Sequence, residues 1–465
     1  TDMVFALRQL QEKCREQHRG LYMTFVDLTK AFNTVSRTGL WKILARLGCP
    51  PKFLKMITEL HENQEGQIRL NGELSNSFPI RNGVKQGCVL APTLFSLFFS
   101  SMLKQAFSDL HQDEGVLLRY RTDGSLFNLR RLQARTKTKQ QLIRELLFAD
   151  DAALVAHTEE HLQRLTSCFA RASELFGLEV SLKKTEVLHQ PAPNEEPQPP
   201  NITIGESNLK NVDEFRYLGC TITNDAKIDK ETDNRLAKAS AAFGRLRDRV
   251  WQNNNLKNST KIQVYRAVVL TTLLYGCESW VVYRRHVGLL ERYHQRCLRS
   301  ILGIRWTDFV TNVEVLERAR MTSIEATLLR THLRWAGHVS RMDNNRLPKI
   351  TLYSELNSGE RSVGAPKKRY KDQLKRHLNA ANIDHRSWST QAAERGAWRS
   401  IISQASKNFE SQRRERVEAK RQARKNRQRV QRDPPPANSS LTCHRCGRLC
   451  MSRIGLISHQ RACRS

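Results

Sequence analysis

Two adjacent carboxylates, Asp150 and Asp151, stand between the apolar runs Leu146-Leu147-Phe148-Ala149 and Ala152-Ala153-Leu154-Val155. Apolar runs on either side of a two-residue polar step read as a tight β-hairpin, and Asp is a common turn residue, so an ordinary solvated turn is one reading. The other is chemical. Neighbouring like charges disfavour each other's ionised form unless a cation lies between them, and hard carboxylate oxygens suit Mg²⁺. Such a site needs a further acid from a second strand. Asp27, at the end of the strand-like Leu21-Tyr22-Met23-Thr24-Phe25-Val26, is the candidate. A second constellation, Cys443-x2-Cys446-x12-His459-x3-Cys463, has the ligand spacing of a zinc finger with Cys in place of the last His, and predicts one structural Zn²⁺. There Cys450 replaces the usual core aromatic and is assigned to packing, not to metal.

Composition narrows the chemistry. The chain has 465 residues, 39% of them hydrophobic, and a formal charge of +31, which favours polyanionic partners, above all nucleic acid. No apolar run approaches the roughly 18 residues of a membrane span and no signal peptide is visible, so a soluble, intracellular protein without a membrane partner is expected. Four of the eleven cysteines crowd the last 23 residues, which is no pattern for a secreted disulfide scaffold. The chain starts at Thr1 without a Met, already in a helix-like segment, and reads as a piece of a longer protein.

The elements that must position these groups are mixed in the first 190 residues, which suggests an α+β domain. Gly39–Leu44 belongs to a helix, and the apolar residues from Leu94 to Phe107 recur at helical spacing with Pro92 in the first turn. Residues 117–132 alternate around Thr122-Asp123-Gly124 and predict a hairpin. The five prolines of residues 191–200 make a stiff connection, after which Phe215–Ile222 reads as a strand. From 235 to 304 the pattern is helical, with a cap expected at Ser259. Residues 305–410 are helical and rich in Arg and Trp. Residues 412–432 carry ten Lys or Arg against two Glu, a basic arm or nuclear-import signal, and Pro434-Pro435-Pro436 then stops the helix.

At this point the residues resemble a known family. Asp27-Leu28-Thr29-Lys30-Ala31-Phe32, then Gly83-Val84-Lys85-Gln86-Gly87-Cys88-Val89-Leu90-Ala91-Pro92, then Phe148-Ala149-Asp150-Asp151 stand in the order of the palm motifs of non-LTR (LINE-type) retrotransposon reverse transcriptases. The resemblance continues through Gly177-Leu178, Lys184-Thr185 and Tyr217-Leu218-Gly219 and covers roughly residues 1 to 300. It implies an α+β right-hand polymerase palm with partial fingers over residues 1–225, a helical thumb over 226–304, a basic helical nucleic-acid-binding region over 305–410, an arm and Pro-rich linker over 411–440, and a zinc finger over 441–465. It implies two Mg²⁺ ions on Asp27, Asp150 and Asp151, with Lys184 protonating the departing pyrophosphate. Phe32 becomes the steric gate against ribose, and Gln86 and Gly87 the loop that holds template and nucleotide. The implied partners are template RNA, a DNA primer or target DNA, and deoxynucleoside triphosphates, met in the nucleus.

The sequence departs from that pattern in two places. Many relatives carry Asp after the gate residue, where this chain has Asn33, and the basic finger segment and the endonuclease domain expected ahead of Thr1 are not in it. Two other functions stay open on the residues alone: a catalytically inactive, truncated remnant that binds nucleic acid through its helices and finger, and an RNA-dependent RNA polymerase, which the bulky Phe32 disfavours. In the finger, Ser452, Gly455 and Ser458 occupy the base-reading positions and offer little readout, so backbone anchoring by Arg445, Arg448, Arg453 and Arg461 is expected.

Overall fold

Five strands make the central sheet of the computed structural model, in the order Lys210–Asn211, Glu186–Gln190, Leu21–Val26, Asp151–Ala156, Glu145–Phe148. The structure describes every residue except 112, 135, 197, 360, 362–366, 433–440, 451, 464 and 465, and residues 428–432 by backbone alone. All pairings in this sheet are antiparallel apart from the parallel edge pair of Glu186–Gln190 with Lys210–Asn211. Both faces are covered. Val26, Ala152, Leu154, Ala156 and Val187 face one core, with the Ala91–Ala106 and Glu159–Leu175 helices. Met23, Phe25, Ala153, Val155 and Leu188 face another, with the Asp2–Glu16 helix, Tyr217 and Ile222. A sheet covered on two sides needs apolar residues at successive positions, which is why these strands read as continuous apolar runs.

One compact unit spans Thr1–Ile402 and a second spans Ser403–Ser465. Within the first, a helical core gathers residues from Ile228 to Leu328 around Trp280, Tyr265 and Leu290. A three-stranded sheet joins Ser354–Leu356, Val116–Tyr120 and Lys139–Ile143. The helix Arg395–Arg432 carries the basic residues 412–432, and the expected stop at Pro434-Pro435-Pro436 lies outside the described residues. Among the described residues no helix is long and apolar enough to cross a membrane.

Three local expectations are corrected. The strand Val116–Tyr120 pairs with Lys139–Ile143, not with a segment just past Gly124. Asp123 is held by the Arg121 guanidinium at 2.6 Å, and the buried Arg131 gathers the connection by bonding the carbonyls of Arg121 and Tyr353, so the turn at Gly124 opens a long loop. Residues 215–222 form two strands, Glu214–Tyr217 and Cys220–Thr223, because Leu218 (φ 46°) and Gly219 (φ 80°) turn the chain back. Finally, the helix Asn258–Val264 starts with Lys257 at the capping position, and Ser259 sits inside its first turn.

Residues 354–356 and 369–372 meet the Asp2–Glu16 helix through a buried ion cluster. Lys13 Nζ donates to the Ser354 carbonyl at 2.6 Å and lies 3.9 Å from Glu355, while Lys371 Nζ donates to Glu355 at 2.7 Å. The Tyr370 amide donates to Glu12 at 2.7 Å. Burial pushes the Glu355 carboxyl up, but the Lys13 and Lys371 ammonium groups override it and hold it at about 2. For Lys371 the balance is opposite: burial and the second ammonium outweigh the one carboxylate and bring it down to about 8. The cluster therefore depends on Glu355. Removing one partner of a buried ion pair costs about 3–5 kcal/mol, so Glu355→Gln should destabilise the fold by ~3 kcal/mol in urea denaturation at neutral pH. Because the folded carboxyl is depressed, that stabilisation is present above the unfolded value of roughly 4.3 and is lost as the pH falls toward 2. Between about pH 5 and pH 2 the parent protein should thus lose more stability than Glu355→Gln.

Candidate active site

The acids meet at the open end of the central sheet. Val26 pairs with Ala152 as the last rung of the ladder, and Asp27 and Asp151 follow it on the two segments, near enough for the Asp27 charge to act on Asp151. Phe148 pairs with Asp151, so the hairpin turns on Ala149 and Asp150, with Ala149 at φ 55°. The turn thus sits one residue earlier than a turn made of the two acids. Asp150 projects from the turn, and Asp151 opens the strand. Burial pushes the Asp151 carboxyl up, and the charges of Asp150 and Asp27 push it further.

Asp27 is fixed from a third segment. Its carbonyl accepts from the Ser181 amide at 2.8 Å, the Thr29 amide donates to Glu179 at 2.8 Å, and Leu28 bridges to Val180. This short ladder brings Lys184 to the acids, with its Nζ 3.2 Å from Asp27 Oδ2, in ion-pair contact but outside hydrogen-bond geometry. The buried Thr185 hydroxyl accepts from the Asp27 amide at 3.3 Å. Behind the hairpin, Tyr217 donates to the Leu146 carbonyl at 2.9 Å and ties the Tyr217-Leu218-Gly219 turn to the strand that ends at Phe148.

Phe32 stacks on Phe95, ring centroids 4.3 Å apart, and is only partly buried. The loop bearing Gln86 and Gly87 is brought to it by two backbone bonds, Val84 amide to Phe32 carbonyl (2.8 Å) and Gly83 amide to Val35 carbonyl (2.9 Å). Gln86 and Gly87 themselves are exposed. Close approach within the chain occurs at Gly83: a Cβ there would meet the Asn33 carbonyl oxygen at 2.6 Å, and φ is 83°. At Gly87 the space is open, and only the φ of 94° asks for glycine. Arg37, which no motif singled out, clamps the same loop by donating to the carbonyls of Gly83, Ile80 and His61 and to the Gln64 side chain. Nothing in the spacing of Arg37 signalled this, because its partners are backbone oxygens.

In the second unit the ligand atoms of Cys443, Cys446, His459 and Cys463 all lie within 4.8 Å of one another. Cys446 Sγ is 3.1 Å from His459 Nε2. The Cys443 thiol is lowered to about 6, chiefly by the backbone amide of Arg445 and then that of Cys446. A donor set of three thiols and one imidazole at these distances fits a tetrahedral metal ion. Cys450 is buried apart from the set, and Ser452 caps the Arg453–Ala462 helix by accepting from the Gly455 amide at 3.0 Å.

The site thus combines acids at the end of a sheet covered on both faces with a lysine from the turn that precedes the neighbouring strand. Residues 2–222 match the reverse transcriptase (RNA-dependent DNA polymerase) family. The chain is 21% identical to the RNA-directed DNA polymerase from mobile element jockey of Drosophila melanogaster, over 80% of this chain and 37% of that one. It is also 28% identical to a transposon-derived protein of Caenorhabditis elegans, over 55% of this chain and 94% of that one. Among solved structures it aligns with telomerase from Candida tropicalis bound to the TWJ fragment of telomeric RNA, at 13% identity and a TM-score of 0.34, covering 76% of this chain and 51% of that one. The chain spans less than two fifths of the jockey polymerase.

Two outcomes follow from this geometry. Gly83→Ala must place a Cβ on the Asn33 backbone in a left-handed conformation, which costs of order 1–3 kcal/mol in strain alone, so it should lower the thermal midpoint and disturb the Phe32 loop together. The raised Asp151 carboxyl lowers stability above its folded value, and that loss is relieved when a proton or a cation arrives. Mg²⁺ at about one hundred times its dissociation constant should therefore stabilise the protein by roughly 2.7 kcal/mol in thermal unfolding, and Asp27→Asn should remove most of that gain.

Proposed function

We propose that this chain is an RNA-directed DNA polymerase that adds deoxynucleotides to a primer 3′-hydroxyl on an RNA template. The observation that carries the reading is the meeting of Asp27 with the Asp150-Asp151 hairpin, where the Asp151 carboxyl is disfavoured as an anion by burial and then by its two neighbours. Two Mg²⁺ held by these acids would supply an activated 3′-oxygen and a clamp on the triphosphate and its leaving group. The remaining steps belong to the chain. Asp27 Oδ2 keeps Lys184 at hand, so its ammonium can follow the departing pyrophosphate and give it a proton. Phe32, braced on Phe95, presents a ring edge where a ribose 2′-oxygen would have to pass. Gln86 and Gly87 stand exposed on a loop pinned by Gly83 and Arg37, free to meet template and nucleotide.

We assign the helical region after residue 225 to a thumb and basic nucleic-acid surface, and the metal of the Cys443, Cys446, His459 and Cys463 set to one structural Zn²⁺. For action on target DNA we propose the nucleus as its site of action.

Primer extension on an RNA template with Mg²⁺ and deoxynucleotides tests the reading: product should appear, and Asp150→Asn should reduce it by roughly 10³-fold or more. A folded protein that binds the primer–template but never extends it is the inactive remnant instead, and equal use of ribonucleotides would mark an RNA polymerase. Deleting residues 441–465 should weaken template or target binding while leaving extension on a simple substrate; total loss of extension would assign the finger to the reaction itself.

A further inference from the structure

A cavity of about 290 Å³ within the first unit lies away from the palm acids, walled by the Asp2–Glu16 helix, residues 221–229, residues 279–286 and the pair Lys367-Lys368. Its charge is one-sided. Arg8, Arg15, Lys227, Lys367 and Lys368 line it, and its two carboxylates are already engaged. Glu12 accepts from the Tyr370 amide at 2.7 Å, and Asp229 is held by Arg285 at 2.9 Å and His286 at 3.1 Å.

Lys227 is paired with Asp225 at 2.9 Å, and Lys368 donates to the Val282 carbonyl at 2.9 Å and to Gln373, but the two arginines are short of partners. Arg8 and Arg15 spend one guanidinium nitrogen each on a carbonyl, of Thr221 (3.2 Å) and Ala226 (2.9 Å), and each keeps a buried Nε–H that donates to no partner among the described residues. A buried donor left unbonded is costly, and guanidinium forks bond phosphate oxygens two at a time. The cations also press on one another. Burial lowers the Lys367 ammonium, and Arg15 and Lys227 lower it further; burial and Arg376 bring Lys368 down to about 8. An anion seated between them relieves both burdens.

We infer that this cavity is a binding site for a phosphate-bearing anion, held by Arg8 and Arg15 from below and by Lys227, Lys367 and Lys368 from the rim. Its volume admits a short phosphate chain or one strand phosphate with its sugar, not a folded macromolecule. The ligand is either a free phosphorylated small molecule or a phosphodiester of a bound strand, since the chemistry that recognises them is shared.

The test uses the whole chain in magnesium-free buffer, so that the palm acids cannot capture the probe. Tripolyphosphate should bind in isothermal titration beyond what chloride of equal ionic strength produces. The exposed pair Lys227→Glu with Lys367→Glu, and separately Arg15→Gln, should each weaken that binding by roughly tenfold or more, the loss expected for charge-assisted hydrogen bonds. Circular dichroism and the thermal midpoint of each ligand-free variant show whether it is folded, and Lys367→Ala alone serves if the double reversal is not. A short single-stranded oligoribonucleotide then separates the sources. If it displaces tripolyphosphate and itself binds more weakly to the variants, the natural ligand is a strand phosphate; if it does neither, it is a free phosphorylated molecule. Unchanged affinity in the folded variants, or no binding above the chloride control, overturns the site.

Discussion

Everything in the first unit serves to hold like charges together at one end of a sheet. Three carboxylates within reach of each other repel, and the repulsion is contained because their strands cannot separate: Leu21–Val26 is paired on both sides and packed on both faces. A sheet with one wet face could let the Asp150 turn drift away from Asp27 and relax the strain in solvent. Here the hairpin is tied down by Tyr217, so the relief comes from charge: the Lys184 ammonium 3.2 Å from Asp27, and a proton or a cation at Asp151. The stability of the palm and the chemistry proposed for it therefore draw on one arrangement.

The rest of the site is built by backbone bonding between short segments, each of which presents one side chain. The 177–185 segment brings Lys184 by bonding Asp27 and Thr29, and the 83–87 loop reaches Phe32 through the amides of Gly83 and Val84. Side chains such as Arg37 and Thr185 hold these segments and touch no reacting atom. In such a scheme a substitution at Gly83 or Arg37 acts on the reaction through position alone.

Much of this was legible in the amino-acid sequence, and for identifiable reasons. Asp27, Phe32, Gly83 to Pro92 and Asp150-Asp151 are local patterns, and the structure brings them together in the expected neighbourhood. The helix Ala91–Ala106 followed from spacing and from Pro92, because both signals act within a few residues. What sequence reading missed is non-local. That Val116–Tyr120 pairs with Lys139–Ile143 depends on Arg131 folding the intervening loop, and that Gly83 packs against the backbone depends on where Asn33 lies. The split of Phe215–Ile222 into two strands was within reach, since Leu218-Gly219 is a turn-compatible pair, but the apolar run around it masked the signal. The metal-ligand set at the end of the chain was plain from spacing because tetrahedral coordination leaves little freedom in the loop lengths.

The docking of residues 354–356 and 369–372 on the Asp2–Glu16 helix reaches across nearly the whole first unit, with hydrogen bonds that join residues 341 and 358 positions apart. At about 5–20 residues per second of synthesis, Lys13 and Glu12 emerge roughly 20–70 s before the groups that neutralise them exist. Until then that helix carries half of an ionic lock with an apolar flank beside it, an invitation to holdase chaperones. A ribosome-bound intermediate ending before Ser354 accordingly lacks the carbonyl and carboxylate that Lys13 meets in the finished fold, and the speed of synthesis sets how long that helix waits for them.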